Sequence, residues 1–311
     1  MGFRLASMFG TRVEQRFTEG YDGTRIAYYV AGHGQRPWVL APGLGTNILC
    51  WKYLFEEFAS DYTMFTWDPR GTYASGAPKD LARLRVEDHC CDMVSVCNAE
   101  GLGRFIAGGW SMGVQIALEY YHRYPESVTA LTLINGPYEH ILSSALKFPQ
   151  ADKVLPLVFR LARLLEPLLS HGAARLLAWQ EAPRLLIALG FLAEGTAGTA
   201  YFHEIMKEFS NLDFSVYLRM ILLLHEHSAA AYLSEVKVPT IITAGTHDLM
   251  TPLATAERMH QQIPQSELYV IPHGTHYSMT EYPEVLHAGL ASFLARLDSQ
   301  GLTQDRSARR H

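Results

Sequence analysis

Paired cysteines, a long apolar run, a basic tract and a phosphate loop are all missing from this sequence, and each absence removes a class of protein. Only four cysteines occur in 311 residues: Cys50, Cys90, Cys91 and Cys97. None makes a C-x-x-C pair or a zinc spacing, so free, buried thiols are expected, as suits a reducing cytoplasmic setting. The longest strongly apolar stretch, 185–193, has nine residues, whereas a spanning helix needs about 20; no transmembrane segment is expected. The first ten residues hold no apolar signal core and no small-residue cleavage site. Charge is nearly balanced, with 26 Lys and Arg against 31 Asp and Glu for a net −5. A small cluster, Arg306, Arg309 and Arg310, sits near the C-terminus and reads as part of a solvated tail. A nucleic-acid partner is therefore not expected. With no phosphate loop and no metal set, no cofactor is expected either.

What is present reads as a substantial core. Hydrophobic residues make up 48% and charged residues 18%, which excludes disorder over most of the chain. The length suits one large domain, or a core with an insertion. Short β-branched and aromatic runs at 25–30, 38–41, 62–67, 105–109, 128–134, 240–244 and 267–271 read as strands. Helical spacing of apolar residues marks 86–100, 112–124, 254–263 and 285–297 between them. Val39-Leu40 and Ile241-Ile242 lack polar alternation, as strands buried on both faces do. The pattern predicts an α/β fold with a doubly wound, mostly parallel sheet. From 138 to 231 no strand is evident and leucine is dense, with Arg160, Arg163 and Glu166 as a polar stripe. We expect a core at 1–137 and 232–297, a helical cap inserted at 138–231, and a polar tail at 298–311.

Gly109-Trp110-Ser111-Met112-Gly113 is a G-x-S-x-G motif with a predicted strand before it and a predicted helix after it. That context is the one a nucleophile elbow requires. A serine hydroxyl attacks only when a base removes its proton. Among 14 histidines, His276 lies in the loop after a late strand and is the expected base; His273 in the same loop is its rival. Asp248 follows the strand at 240–244 and can orient the imidazole. The competing reading of Asp248 is an ordinary turn aspartate. The order Ser111, Asp248, His276 is nucleophile, acid, histidine. His225-Glu226-His227 looks like a metal fragment but has no third ligand at a recognisable spacing.

Together with these residues, Gly245-x-x-Asp248-x-x-x-Pro252, Gly274-x-His276 with Glu281-x-Pro283, and Asp68-Pro69-Arg70-Gly71 resemble the α/β-hydrolase superfamily. The likeness runs from about residue 25 to 297, the insertion excepted. Pro42-Gly43-Leu44-Gly45 occupies the loop where that family has its oxyanion hole, with Pro42 where a histidine is frequent. The resemblance implies Leu44 and Met112 as backbone oxyanion donors. Gly43, Trp110 and Leu249 are the expected substrate-binding residues. Tyr73 departs from the family by standing where a glycine is common.

A serine nucleophile implies an acyl-enzyme and argues against epoxide hydrolases and dehalogenases, which form esters on an aspartate. The leucine-rich insertion suggests an apolar pocket, hence a small-molecule carboxylic ester with a hydrophobic acyl or alcohol part, and lipid contact at a membrane surface remains open. The same triad serves carbon–carbon bond hydrolases, lactonases, thioesterases, amidases, acyltransferases and perhydrolases. A ligand-sensing receptor of this fold is a further alternative.

Overall fold

A computed structural model describes residues 9–144, 151–164, 182–194, 196 and 200–299. Eight strands form one sheet: β1 (Val13–Glu19), β2 (Arg25–Gly32), β3 (Arg36–Ala41), β4 (Tyr62–Trp67), β5 (Phe105–Trp110), β6 (Val128–Ile134), β7 (Thr240–Gly245) and β8 (Ser266–Ile271). Their order is β1-β2-β4-β3-β5-β6-β7-β8. β2 pairs antiparallel with both β1 and β4, and every later pairing is parallel. Described α-helices are α1 (Lys52–Phe58), α2 (Val86–Ala99), α3 (Met112–Arg123), α4 (Ile141–Ser144), α5 (Ala151–Leu164), α6 (Ala182–Ala188), α7 (Ala200–Phe209), α8 (Phe214–Glu226), α9 (Leu253–Gln262), α10 (Ser278–Glu281) and α11 (Pro283–Ser299).

Strand side chains alternate between the two faces, and both faces are covered. In β3, Val39 and Ala41 join a cluster with residues of α2, α3 and α9. Trp38 and Leu40 point the other way, into a cluster with α1 and α11. Full burial of an apolar side chain of this size stabilises by about 1.5–3 kcal/mol. The Trp38 indole N–H is also satisfied, donating to Thr132 Oγ1 at 3.0 Å. A doubly wound, mostly parallel sheet is thus what the sequence pattern predicts and what forms. Two elements had no clear sequence signal: the edge strand β1, much of it solvent-facing, and the short helix α1. At the other end, α11 continues to Ser299 and Asp298 pairs with Arg36. The tail expected from 298 therefore overlaps the last two residues of this helix, where Asp298 is held by the ion pair.

The D-x-R-G segment braces the region after β4. Arg70 has no exposed side-chain surface and binds Asp92 through Nε (2.7 Å) and Nη2 (2.6 Å), with Nη1 on Asp22 (3.0 Å) and Arg83 O (2.9 Å). It ties the loop to α2 and to the β1–β2 turn. Next to it, Tyr73 has φ +48°, a region that favours glycine and costs other residues about 1–2 kcal/mol; this accounts for the glycine common at that place in the family.

Between β6 and β7 the described chain leaves the sheet and is helical, α4 to α8. It departs and returns side by side. Ala229 N–H donates to Tyr138 O (2.8 Å) and His140 N–H to His227 O (3.1 Å), and Glu139 bridges Ser228. On α5, Leu157, Val158, Leu161 and Leu164 are exposed. Glu166 and the rest of 165–181 lie outside the described residues, as does 300–311. Among the described residues no helix is long and apolar enough to cross a membrane.

Candidate active site

Ser111 is the single residue between β5 and α3. Its backbone is left-handed, φ 56° and ψ −121°, and its N–H is held by Ile134 O at 3.1 Å. The flanking glycines are forced by contact. A Cβ on Gly109 would lie 2.1 Å from Gly113 O, and one on Gly113 would lie 2.0 Å from Ala41 O. The close approach of β3, β5 and α3 thus leaves no room for any side chain at either place, while presenting the hydroxyl at the C-terminal edge of the sheet.

His276 and Asp248 arrive there from the loops after β8 and β7. His276 Nε2 is 2.8 Å from Ser111 Oγ, and Nδ1 is 2.9 Å from Asp248 Oδ2. The three residues are 5%, 3% and 1% exposed in the order Ser111, His276, Asp248. Asp248 Oδ1 accepts the N–H groups of Met250 (2.8 Å) and Thr251 (2.7 Å), and Oδ2 accepts the Thr251 hydroxyl (2.7 Å) and Asn135 Nδ2 (3.3 Å). Burial pushes the Asp248 carboxyl up, but the adjacent His276 charge and hydrogen bond, with the Thr251 donors, outweigh it and hold the pKa below the ordinary value. An ionised Asp248 accepts the Nδ1 proton, which leaves the Nε2 lone pair facing the serine hydroxyl.

Supporting residues fix this arrangement, and one of them, Asn135, escaped the sequence reading. Asn135, at φ 40° just past β6, donates to Thr275 O (3.1 Å) as well as to Asp248, and accepts the Ser278 hydroxyl (2.9 Å). Glu281 accepts the Thr275 N–H (3.0 Å) and hydroxyl (2.7 Å), fixing the histidine loop; it also accepts the N–H of Ala193 from the inserted helices (2.8 Å). Trp110 donates its indole N–H to His276 O at 3.0 Å, with its ring 5.4 Å from the imidazole. The turn sequence Asn135-Gly136-Pro137 at a strand end was the available sign of Asn135.

Ser111 and His276 open on a cavity of about 150 Å³. Leu44, Thr46, Tyr73, Trp110 and Tyr277 form its sheet-side wall; Ile141, Leu186, Ile205, Met206, Phe209 and Tyr217 come from the helices between β6 and β7. Of the expected oxyanion donors, Leu44 lines this cavity. Met112 is the first residue of α3, where backbone N–H groups have no partner within the helix. Of the three expected substrate-binding residues, Trp110 lines the cavity. Gly43 lies instead against the Trp110 ring, and Leu249 lies against Gly190. Each adjoins a member of the wall, Leu44 and Met250.

His273 does not join this group. It is exposed, at φ 59°, and stacks on His247 with centroids 5.4 Å apart. The His225-Glu226-His227 run is divided among other partners. His227 is hydrogen-bonded to Gln115 (2.9 Å) and Glu119 (3.3 Å), and Glu226 pairs with Arg85 (3.0 Å).

A mostly parallel sheet carrying a Ser–His–Asp constellation on loops at its C-terminal edge defines a class of nucleophilic fold. The family model for the alpha/beta hydrolase fold matches residues 37–283, and the chain belongs to that family. Among curated proteins it is similar to RutD of Shigella flexneri, named for a proposed carbamate-hydrolase activity, at 25% identity over 83% of this chain and 91% of that protein. RutD of Azorhizobium caulinodans is 23% identical over 89% of this chain and 98% of its own length. Two solved structures share the fold. An esterase from Thermogutta terrifontis has a TM-score of 0.72 at 21% identity, covering 94% of this chain and all of that one. The enol-lactonase of Burkholderia xenovorans LB400 has a TM-score of 0.73 at 18% identity, covering 90% and 100%.

Proposed function

We propose that this protein is a serine hydrolase that cleaves small carboxylic esters with a hydrophobic acyl or alcohol part. The observation that carries the reading is the continuous Asp248–His276–Ser111 hydrogen-bond chain ending in an apolar cavity. Ser111 Oγ attacks the ester carbonyl as its proton passes to His276 Nε2. The N–H groups of Leu44 and Met112 receive the developing oxyanion, each such donor contributing about 3 kcal/mol at the transition state. His276 returns the proton to the leaving alcohol oxygen. Water, deprotonated by the same nitrogen, then releases the acid from Ser111. Asp248 stays ionised throughout, in keeping with its lowered pKa.

The segment 138–231 acts as the cap and sets the substrate. A cavity near 150 Å³ holds a group of about benzene size, which favours short acyl chains over the long chains a lipase takes. Carbamates and lactones present the same electrophilic carbonyl, and the similarity to RutD supports a carbamate as the second reading. The test is hydrolysis of p-nitrophenyl esters from acetyl to palmitoyl, with a carbamate and a lactone alongside and Ser111→Ala as the blank. Turnover of the short esters, lost by at least about 10³-fold in the variant, is expected. A variant as active as the wild type overturns the serine mechanism; a carbamate-only profile replaces the ester by the second reading.

A further inference from the structure

Tyr73 combines a backbone that side chains rarely adopt with a hydroxyl that reaches the loop beside Ser111. Its φ of +48° persists because the turn around it is over-determined. Gly71 N–H donates to Gly76 O (2.8 Å), the Thr72 hydroxyl to Pro69 O (2.6 Å), Ala74 N–H to Asp68 Oδ2 (3.0 Å) and the Ser75 hydroxyl to Asp68 O (2.7 Å). From this turn the ring lines the cavity, and the phenol O–H donates to Gly45 O at 2.5 Å.

Gly45 is itself constrained. It sits at φ +66°, and a Cβ there would lie 2.8 Å from the Phe209 ring and 2.9 Å from the Tyr217 ring. Those rings belong to α7 and α8, so the glycine is pressed by the inserted helices while its carbonyl is tied to the sheet side by Tyr73. The internal bonds of the turn run from the Thr46 N–H (3.3 Å) and hydroxyl (2.9 Å) to Gly43 O. They secure its first residue and leave the Gly45 carbonyl to Tyr73.

We propose that Tyr73 is a positioning residue for the oxyanion hole: its hydroxyl anchors the Gly45 carbonyl and thereby aims the Leu44 N–H at the carbonyl oxygen of the substrate. The proposal rests on the serine-hydrolase reading. In the tetrahedral intermediate the substrate oxygen gains charge, and a donor misaimed by a fraction of an ångström loses much of its value there. Ground-state binding, dominated by the apolar wall, is less affected. The effect of losing the hydroxyl therefore falls on kcat and not on KM.

The experiment compares wild type, Tyr73→Phe and Tyr73→Gly in three readouts: the rate of Ser111 labelling by a small fluorophosphonate, kcat and KM on p-nitrophenyl acetate, and Tm. Tyr73→Phe keeps the ring and the backbone strain and removes only the O–H. We expect its labelling rate and kcat to fall together by about tenfold, with KM within twofold and Tm nearly unchanged. Tyr73→Gly relieves the strain and loses the anchor, so it shows at least the same fall in rate. Labelling and kcat of Tyr73→Phe within twofold of wild type overturn the proposal, as does a loss expressed only in KM. A wild type that fluorophosphonate does not label overturns the serine reading and the proposal together. Equal labelling of wild type and Tyr73→Phe overturns the proposal alone.

Discussion

The sheet edge and the inserted helices meet at one cavity but are built differently. Ser111, Asp248 and His276 stand on three loops at strand ends, and each loop is fixed by hydrogen bonds to its neighbours, through Ile134 O, Thr251 and Glu281 among others. The opposing wall is made of Leu186, Ile205, Met206 and Phe209, apolar side chains that contribute shape and no directional bonds. The contrast separates two requirements. Proton transfer and oxyanion binding need geometry within tenths of an ångström, which hydrogen bonds give. Choosing among acyl groups needs only a volume, which packing gives and which can be altered without disturbing the chemistry.

The largest expected effect would break this separation on the sheet side. Asp248→Asn keeps the shape of the side chain but reverses the hydrogen-bond sense at His276 Nδ1, favouring the wrong tautomer. We expect kcat to fall by about 10²–10⁴-fold across every ester, with the ranking of chain lengths unchanged. A change in ranking would mean that the acid also shapes the pocket. A smaller effect should appear on the helical side. Leu186→Ala enlarges the cavity from α6, and the ratio of kcat/KM for hexanoate over acetate should rise about tenfold while fluorophosphonate labelling stays within threefold. If labelling falls as far as the ester rates do, the two sides are mechanically coupled and the separation fails.

The smallest effect concerns stability alone and sharpens the picture of the sheet side. Asp68 is fully buried with Oδ1 unpartnered, and burial raises its pKa to about 7, against the pull of the Ala74 N–H and the Tyr29 hydroxyl. A carboxyl whose folded pKa lies above its unfolded value near 3.9 opposes folding increasingly as pH climbs from about 4 to about 7, and by a constant amount above that. Asp68→Asn removes the titration and puts an amide in the same place. Its Tm should exceed the wild-type value by a few degrees at pH 8, an advantage that shrinks toward pH 4. A difference independent of pH would show that Asp68 is ionised in the fold throughout that range.

How much of this the sequence disclosed follows the same division. Strands such as β3 and β7 are short β-branched or aromatic runs between turn residues, and their register leaves both faces buried, so they were legible. The edge strand β1, reading Val-Glu-Gln-Arg-Phe-Thr-Glu, has the polarity of a loop and becomes a strand only because β2 offers it a ladder. The triad residues were legible because each sits in a turn motif whose purpose is local. The contacts of Asn135 and Tyr73 were not, because their partners lie far along the chain: 113 residues separate Asn135 from Asp248 and 28 separate Tyr73 from Gly45. The inserted helices gave away their existence through leucine density and withheld the cavity, which arises from side chains on separate helices.

The neck at residues 138–140 and 227–229 bears on how such a protein can change over generations. The two strands of chain cross the sheet's edge side by side and are bonded to each other, so the parallel pairing of β6 with β7 requires only that short pinned junction. Beyond the junction the inserted helices meet the sheet side through contacts such as Ala193 on Glu281 and Phe209 on Gly45, and the entropic penalty for lengthening a loop grows only logarithmically with its size. A helix lengthened away from those contacts changes the ceiling over the serine, its histidine and its aspartate while leaving the bonds that hold them.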